Sequence, residues 1–469
     1  MSLTSALSVA GAGLTTTSRW AETVSGNIAN AGNASYARRD LAVTTDPQGV
    51  PGVSTIARAV DSSLDAMYRN EVSRTATQDA MATGLSPYTA ILGDSESSDT
   101  ILTRLTEFQN ALDLVSVAPS DASLQRSAVD GAQGLALALN RAGRALADTA
   151  KDTAAAIGAD VDALNASLTR LQGLNERIAG GLEGEARLAL EDQITAELDA
   201  LAEITDFTLR KDTDGQVALF TTGGTALLSD NLRQPLRFEP TTGTLYAGEI
   251  EITPGKTGVR GISEGALAGR ITLYSETLPE MQAQLDEVAR ALIEGMAGAD
   301  PSLAPGEAGL FTDAGAALAD PAAPGLAARI AVNPAVLPEA GGGYWRIRDG
   351  MGATAPGTSG DNSLILDFVD TLDATTAFDA AAGLGGSDRL PEYVAALIAG
   401  QNATRASAGS AAESLAAGAV AVQSSRMAFA GVNIDDELQQ LTAIQQSYAA
   451  NARVLTVASE MIDTLLGAA

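Results

Sequence analysis

The sequence IDDELQQLTAIQQSYAANARVLTVASEMIDTLL, residues 434–466, decides the fold, because its apolar positions recur at alternating spacings of four and three. The repeat runs through Ile434, Leu438, Leu441, Gln445, Tyr448, Ala452, Leu455, Ser459, Ile462 and Leu466. A sustained seven-residue repeat places one narrow apolar stripe along a helix, and a partner helix is needed to bury it. We therefore expect a long carboxyl-terminal helix that pairs with another helix.

The opposite end of the chain has a second repeat of the same kind. It runs through Leu3, Leu7, Ala10, Leu14, Thr17, Ala21, Val24 and Ile28. Neither stripe is wide enough to build a globular core alone, so the termini are expected to pair with each other or with copies of themselves. This organisation is typical of an assembly subunit. The alternative is a helical hairpin within one chain that has no role in assembly.

The composition limits the kinds of protein that this chain can be. Its 469 residues exceed what one hydrophobic core usually organises, so two to four domains are expected. Apolar residues form 45% of the chain and aromatic residues only 4%, and the apolar residues are largely Ala and Leu. This composition favours long helices with thin interfaces.

Charge and missing residue types exclude several functions. The chain has 29 Lys and Arg against 58 Asp and Glu, a formal net charge of −29, which repels nucleic acid and anionic lipid. It has no cysteine and no histidine, so disulfides, thiol nucleophiles, histidine bases and nearly all zinc sites are excluded. No stretch of about 18 apolar residues predicts a membrane-spanning helix. The start MSLTSALSVAGAG also lacks the basic region and long apolar core of a cleaved signal peptide.

Changes in pattern along the chain predict a mainly α fold with inserted β-rich modules and discontinuous domains. Residues 1–60 and 426–469 are expected to form a terminal coiled-coil domain. A helical bundle is assigned to 61–204, 265–298 and 391–425, a small β-rich domain to 205–264, and a second inserted mixed module to 299–390.

Two local patterns support this division. Asp212-Thr213-Asp214-Gly215 lies between two strand-like runs and predicts a hairpin with a tight turn, whereas the Gly-, Ala- and Pro-rich segment 299–390 predicts mostly loops and short strands. An apolar helical stripe runs through Ile157, Val161, Leu164, Leu168, Leu171, Asn175 and Ile178. Asn175 either fixes the register of this stripe as a buried amide or lies at a solvated edge.

Motifs that carry chemistry are weak throughout the chain. Asp212–Gly215 resembles the start of a calcium loop but lacks the later ligands, and Gly11-Ala12-Gly13 follows no strand. Tyr344-Trp345 could stack on a sugar, but a local core anchor explains it better. No pair among the 58 acidic residues stands out as a glycosidase pair. We therefore predict no catalytic, cofactor or metal site and no enzymatic activity.

Both ends of the chain resemble the bacterial flagellar axial proteins and, within them, the hook-associated protein 1 family of hook–filament junction proteins. The matching motifs are Asn27-Ile28-Ala29-Asn30, Tyr36-Ala37-Arg38, Gly431-Val432-Asn433-Ile434-Asp435-Asp436-Glu437, Gln445-Gln446-Ser447-Tyr448, Ala450-Asn451-Ala452-Arg453-Val454-Leu455 and Glu460-Met461-Ile462-Asp463-Thr464-Leu465-Leu466. One departure is that Asn33-Ala34-Ser35 precede Tyr36, where the family usually has a Thr-Pro-Gly-Tyr turn.

The resemblance implies a structural subunit that is exported unfolded through the flagellar type III apparatus and lies outside the cell, at the hook–filament junction. It implies a homo-oligomeric ring or helical layer in contact with hook protein and a second junction protein, and an export chaperone bound to the carboxyl-terminal helix. The assembly interface is then expected to comprise Leu3, Leu7, Leu14, Val24, Asn27, Ile28, Asn30, Tyr36, Ile434, Leu438, Leu441, Gln445, Tyr448, Asn451, Leu455, Ile462 and Leu466.

Two alternatives stay open. The first is another flagellar axial subunit, a hook or distal rod protein. The second is a secreted hydrolase carried on axial-type termini, with a carboxylate pair between residues 205 and 390.

Overall fold

The computed structural model describes residues 3–33, 35–47, 49–94 and 97–467, without the side chains of Leu3 and Ser54. The fold is mainly α with small antiparallel sheets. Its helices are α1 (Leu3–Ala29), α2 (Ser62–Leu92), α3 (Ile101–Val117), α4 (Ala122–Ala179), α5 (Gly184–Ile204), α6 (Ala266–Thr272), α7 (Leu278–Gly298), α8 (Leu326–Arg329), α9 (Arg346–Asp349), α10 (Ser363–Asp373), α11 (Leu390–Ala430) and α12 (Ile434–Gly467).

The strands form hairpins and small meanders. They are β1 (Arg39–Thr45), β2 (Pro51–Arg58), β3 (Thr208–Lys211), β4 (Val217–Phe220), β5 (Ala226–Ser229), β6 (Leu232–Arg233), β7 (Leu236–Glu239), β8 (Thr244–Ala247), β9 (Ile250–Glu251), β10 (Phe311–Asp313), β11 (Ile330–Val332), β12 (Thr375–Phe378) and β13 (Gly386–Arg389). Strands β3 to β6 make a four-stranded sheet and β7 to β9 a three-stranded sheet, with neighbours antiparallel.

Helix α4 is the spine of the molecule, since it is 58 residues long and enters two separate cores. It begins at the N-cap Asp121, whose carboxylate accepts hydrogen bonds from the backbone N–H groups of Ser123 and Leu124. Side chains from Ala128 to Leu146 are buried in the first core, and those from Ile157 to Ile178 are buried in the second.

The first core, here called the bundle core, joins α2, α3, α7 and α11 to the first half of α4. It also contains Phe311, Ile330 and Phe368 from the segment 299–390. This segment holds more helix than the expected loops and short strands, because Leu364, Ile365, Phe368 and Leu372 form one buried stripe on α10. Three of these four residues fall within five positions, so the apolar stripe is short. Because Gly, Ala and Pro surround it, the sequence does not show its helical periodicity.

The second core, here called the module core, packs the β-rich segment and α5 against the second half of α4. Its buried residues include Leu164, Leu168, Leu201, Leu219, Leu228 and Ile271. The predicted hairpin joins β3 and β4. Its turn is closed by the carboxylate of Asp212, which accepts hydrogen bonds from the N–H groups of Asp214 and Gln216, and Gly215 has a φ of 92°. These contacts assign the Asp-rich motif to the turn.

Two chain ends leave the body side by side. Helices α2 and α11 pack antiparallel: a Cβ atom on Gly409 would lie 3.9 Å from that of Ala82, and Asp65 pairs with Arg426. Helices α1 and α12 continue beyond them, together with the β1–β2 hairpin. Within the described residues, no helix is both long and apolar enough to cross a membrane.

Two asparagines of α4 form hydrogen bonds with backbone groups of the two sheets. The amide of Asn175 donates to the carbonyl of Val217 at 2.8 Å and accepts from its N–H at 2.9 Å. Asn165 makes the same pair of bonds with Leu236, at 3.0 and 2.8 Å. Asn175 is only 1% exposed, so it is a buried amide and does not lie at a solvated edge.

We predict that Asn175→Ala destabilises the protein, because it leaves both polar groups of Val217 buried without partners, at a cost of roughly 1–3 kcal/mol for each. Asn165→Ala is the control, since Asn165 is partly exposed and water can replace its amide. Urea unfolding would measure both. Equal losses in the two variants would contradict a role for burial.

Candidate assembly site

Helices α1 and α12 form an antiparallel pair through a narrow stripe. On α12 the buried side chains are Glu437, Ile444 and Ala458. Small residues on α1 allow the close approach. A Cβ atom on Gly13 would lie 2.7 Å from the amide nitrogen of Asn451, so only glycine fits there without a shift. The pair is thin, as expected from the Ala-rich composition.

The predicted interface residues divide into a covered and an uncovered group. Val24 and Asn27 are buried, and Leu7, Leu14, Ile28, Asn30, Tyr36, Leu441, Asn451, Leu455 and Ile462 are half-buried. Ile434, Leu438, Gln445, Tyr448 and Leu466 are exposed. Leu3 begins α1, but its side chain lies outside the described part of the chain.

The contact within the chain is displaced by one position from part of the predicted stripe. Glu437, Ile444 and Ala458 are covered, whereas the predicted stripe used Leu438, Gln445 and Ser459. Sequence reasoning missed this register because it kept to a strict alternation of four and three along the whole helix. Instead, α1 covers a row that contains a carboxylate, an isoleucine and an alanine.

As a result, α12 keeps many large apolar side chains in solvent beside and beyond its contact with α1. Ile434, Leu438, Tyr448, Val454, Val457, Met461, Leu465 and Leu466 are 46–71% exposed. Single exposed apolar residues are ordinary on protein surfaces, but a concentration of them on one helix marks an interaction surface. We call these eight residues the open flanks of α12.

Asn27 ties the three terminal elements together. Its amide nitrogen donates to the carbonyl of Arg39 at 3.0 Å and to the carboxylate of Glu437 at 3.1 Å. Its oxygen accepts from the N–H of Arg39 at 2.9 Å and from the hydroxyl of Tyr36 at 2.8 Å. All four hydrogen-bonding positions of this buried amide are used, which fixes α1, β1 and α12 relative to one another.

The loop after α1 supports this arrangement. The side chain of Asn30 donates to the carbonyl of Gly26 at 2.9 Å, and the carbonyl of Asn33 accepts from the N–H of Tyr36 at 3.0 Å. The Arg39 guanidinium lies 4.6 Å from the centre of the Tyr36 ring, and burial raises the pKa of Tyr36 to about 12. In the departure from the family turn, Asn33 and Ser35 are linked by a hydrogen bond, and Ala34 lies outside the described residues.

A row of carboxylates on α5 fastens the terminal elements to the body. Asp192 pairs with Arg39 at 2.9 Å and with Arg58 at 2.8 Å, so both strands of the first hairpin are held. Two turns later, Asp199 pairs with Arg69 of α2 and Arg426 of α11, both at 2.7 Å. The four guanidinium groups are mostly buried, and a buried pair that loses one partner is strongly destabilising. The sequence did not predict this row, because its acidic residues and their arginine partners are scattered along the chain.

Comparison with known proteins gives matches in both the body and the terminus. Residues 87–299 match the family model described as the flagellar hook-associated protein FlgK helical domain. Residues 423–468 match the model described as the flagellar basal body rod FlgEFG protein C-terminal, which includes all of α12. The chain is 23% identical to flagellar hook-associated protein 1 of Escherichia coli strain K12 over 531 aligned residues, covering 95% of this chain and 96% of the relative. The chain is thus similar to the flagellar hook-associated proteins along almost its whole length.

A second relative shows similar coverage, and a solved structure aligns with about half of the chain. The chain is 23% identical to flagellar hook-associated protein 1 of Bacillus subtilis strain 168, over 95% of this chain and 94% of that protein. The solved structure of the flagellar hook junction protein FlgK from Burkholderia pseudomallei aligns with 54% of this chain and 46% of its own, at 21% identity and a TM-score of 0.44.

Glu437 is the unusual member of the pair formed by α1 and α12. It is 1% exposed, one of its carboxylate oxygens accepts from Asn27, and the other has no hydrogen-bond partner among the described residues. Burial raises the pKa of Glu437, while the Asn27 amide and Arg38 lower it and Asp40 and Asp436 raise it. Because the folded pKa lies above the unfolded value, the folded state binds the proton more tightly.

We predict that docking of α12 weakens as pH rises from the ordinary carboxyl pKa through the raised pKa of Glu437, and is then constant at higher pH. Glu437→Gln removes this dependence and strengthens docking at neutral pH. Hydrogen exchange along α12 at several pH values would measure it. The control is Asp435→Asn, which removes an exposed acid from the same first turn. Identical pH profiles in the wild type and Glu437→Gln would refute the prediction.

Proposed function

We propose that the chain is a structural subunit of the bacterial flagellum that forms an adaptor layer between hook and filament. Similarity to hook-associated protein 1 relatives over almost their whole length carries this proposal. The paired terminal helices with their open flanks give it a physical basis, because a subunit that assembles through its ends needs apolar surface there.

In this proposal, the open flanks of α12 contact neighbouring copies in a ring or helical layer, in the manner of a coiled coil. The exposed members of the predicted interface form this contact, whereas the buried Val24 and Asn27 hold the terminal elements together within one chain. Hook protein lies on one side of the layer and a second junction protein on the other. The domain division is proposed to follow function, with residues 1–60 and 426–469 as the assembly domain.

The route to this location is proposed to be export in an unfolded state by the flagellar type III apparatus, to the outside of the cell. A chaperone that binds α12 before export would cover the apolar side chains that are exposed there. The absence of cysteine suits this route, because no disulfide can trap the chain in transit.

The buried carboxylates between residues 205 and 390 serve the fold, and this supports a structural role. Asp206 accepts from the N–H of Ser263 at 3.0 Å, Asp300 accepts from that of Met351 at 2.7 Å, and Asp286 accepts from those of Gly325 and Ala327, both at 2.7 Å. Among the described residues, no group of three or more acidic side chains is placed to hold a metal ion.

Antibody labelling of isolated hook–basal bodies tests the proposed location. Label confined to the distal end of the hook is the expected result. Label along the whole hook or on the rod would favour the hook or distal rod alternative and overturn the proposal.

We predict that Leu438→Asp blocks incorporation into the flagellum without unfolding the subunit. Leu438 is 47% exposed in the monomer, so a charge is tolerated there, but it costs several kcal/mol when buried without a partner in the assembly. Gln446→Asp is the matched control, because Gln446 is exposed on the polar face of the same helix. Filament attachment and thermal unfolding measure the two effects. If the Leu438→Asp variant forms normal filaments, the open flanks are not part of the interface and the prediction is wrong.

A further inference from the structure

The boundary between the bundle core and the module core is crossed by α11 and by three other helical paths, and these three are weakened at the same level. In α4, the segment between Leu146 and Ile157 contains no apolar side chain larger than alanine. Its buried residues there include Thr149 and Thr153, and the hydroxyl of Thr153 donates to the carbonyl of Thr149 at 2.8 Å. Hydroxyl bonds of this kind back to the helix favour bending.

The second path is α2. Its first half is bonded to the module core side, where Ser73 and Thr77 contact α5 and the start of α6, and its second half enters the bundle core from Leu85 onward. Pro87 lies inside the helix just past this boundary and cannot donate the bond to residue 83. Gly84 lies beside it and touches Leu273. Proline and glycine are common causes of helix kinks.

The third path joins α6 to α7. Ile271 belongs to the module core and Leu273 to the bundle core, and Leu273–Thr277 form a π-helical turn at the point of crossing. Such turns inside α-helices loosen the regular hydrogen-bond ladder and occur often at functional positions.

Two clefts flank the crossing, so there is room for movement. The larger, of about 610 Å³, has the turn Pro240–Gly243 on its module side, Pro324 and Gln282 on its bundle side, and Ala147 and Ala150 of α4 as its floor. The smaller, of about 240 Å³, lies between α2, α4 and the start of the π-helical turn. Helix α11 passes the same level on α2, with Gly409 against Ala82.

We infer that this level is a bending joint between two rigid lobes, and that bending closes the larger cleft by moving the turn Pro240–Gly243 towards Pro324. The joint keeps each core intact, because no large apolar side chain bridges the two along α4. It is independent of how the terminal helices assemble. Lobe motions of this kind occur on the microsecond to millisecond scale.

The chain contains no cysteine, so paired spin labels test the inference directly. Labels at Thr169→Cys and Leu366→Cys lie on different lobes, and labels at Leu137→Cys and Leu366→Cys lie on the same lobe; all three positions are exposed. The expected result of pulsed electron–electron distance measurements is a broader distribution across the joint than within the bundle lobe. If the distance distributions of both label pairs are equally narrow, the inference of a bending joint is wrong.

A proline pair supplies the matched variants. Pro87→Ala restores the missing N–H donor in α2 and is expected to narrow the distribution across the joint. Pro391→Ala leaves the distribution unchanged, because Pro391 stands in the first turn of α11, where proline is tolerated. If Pro87→Ala leaves the width unchanged, α2 does not bend at this level and the joint as described is wrong.

Discussion

The structure depends on burial at both ends of one helix. Helix α4 cannot form its two apolar stripes without two different partners, because the stripe before Leu146 faces the bundle and the stripe after Ile157 faces the sheets. Burial of about 25 cal/mol per Å² of apolar surface acts separately on each half. One continuous backbone therefore links two cores that share few side chains, and the remaining elements arrange themselves around this spine.

Periodicity predicted the parts of the fold that rely on apolar contact. The terminal helices, the stripe from Ile157 to Ile178 and the hairpin at Asp212–Gly215 follow from spacing and turn chemistry alone. The sequence could not predict that the two halves of α4 enter different cores, because an apolar repeat does not identify the element that packs against it. Residues 299–390 were hidden for a related reason, because the short stripe of α10 is diluted by Gly, Ala and Pro.

The candidate site was predictable only in outline. Asn27 and Tyr36 stood out in the terminal motifs, and the structure places both in one hydrogen-bond network. The buried Glu437 was not singled out, because a carboxylate in an acidic helix start is usually solvated. The pairs made by Asp192 and Asp199 join residues more than 120 positions apart, and nothing in the local sequence connects them.

The antiparallel contact of α2 with α11 brings the chain into the body and out of it at one place. The segment between residues 62 and 430 thus begins and ends at the same place, where α2 packs against α11. Insertions or deletions within this segment leave the distance between the two terminal helices unaltered. Proteins built this way can differ in the size of the body while the terminal helices keep one geometry. The size of the body and the mode of assembly can therefore evolve separately.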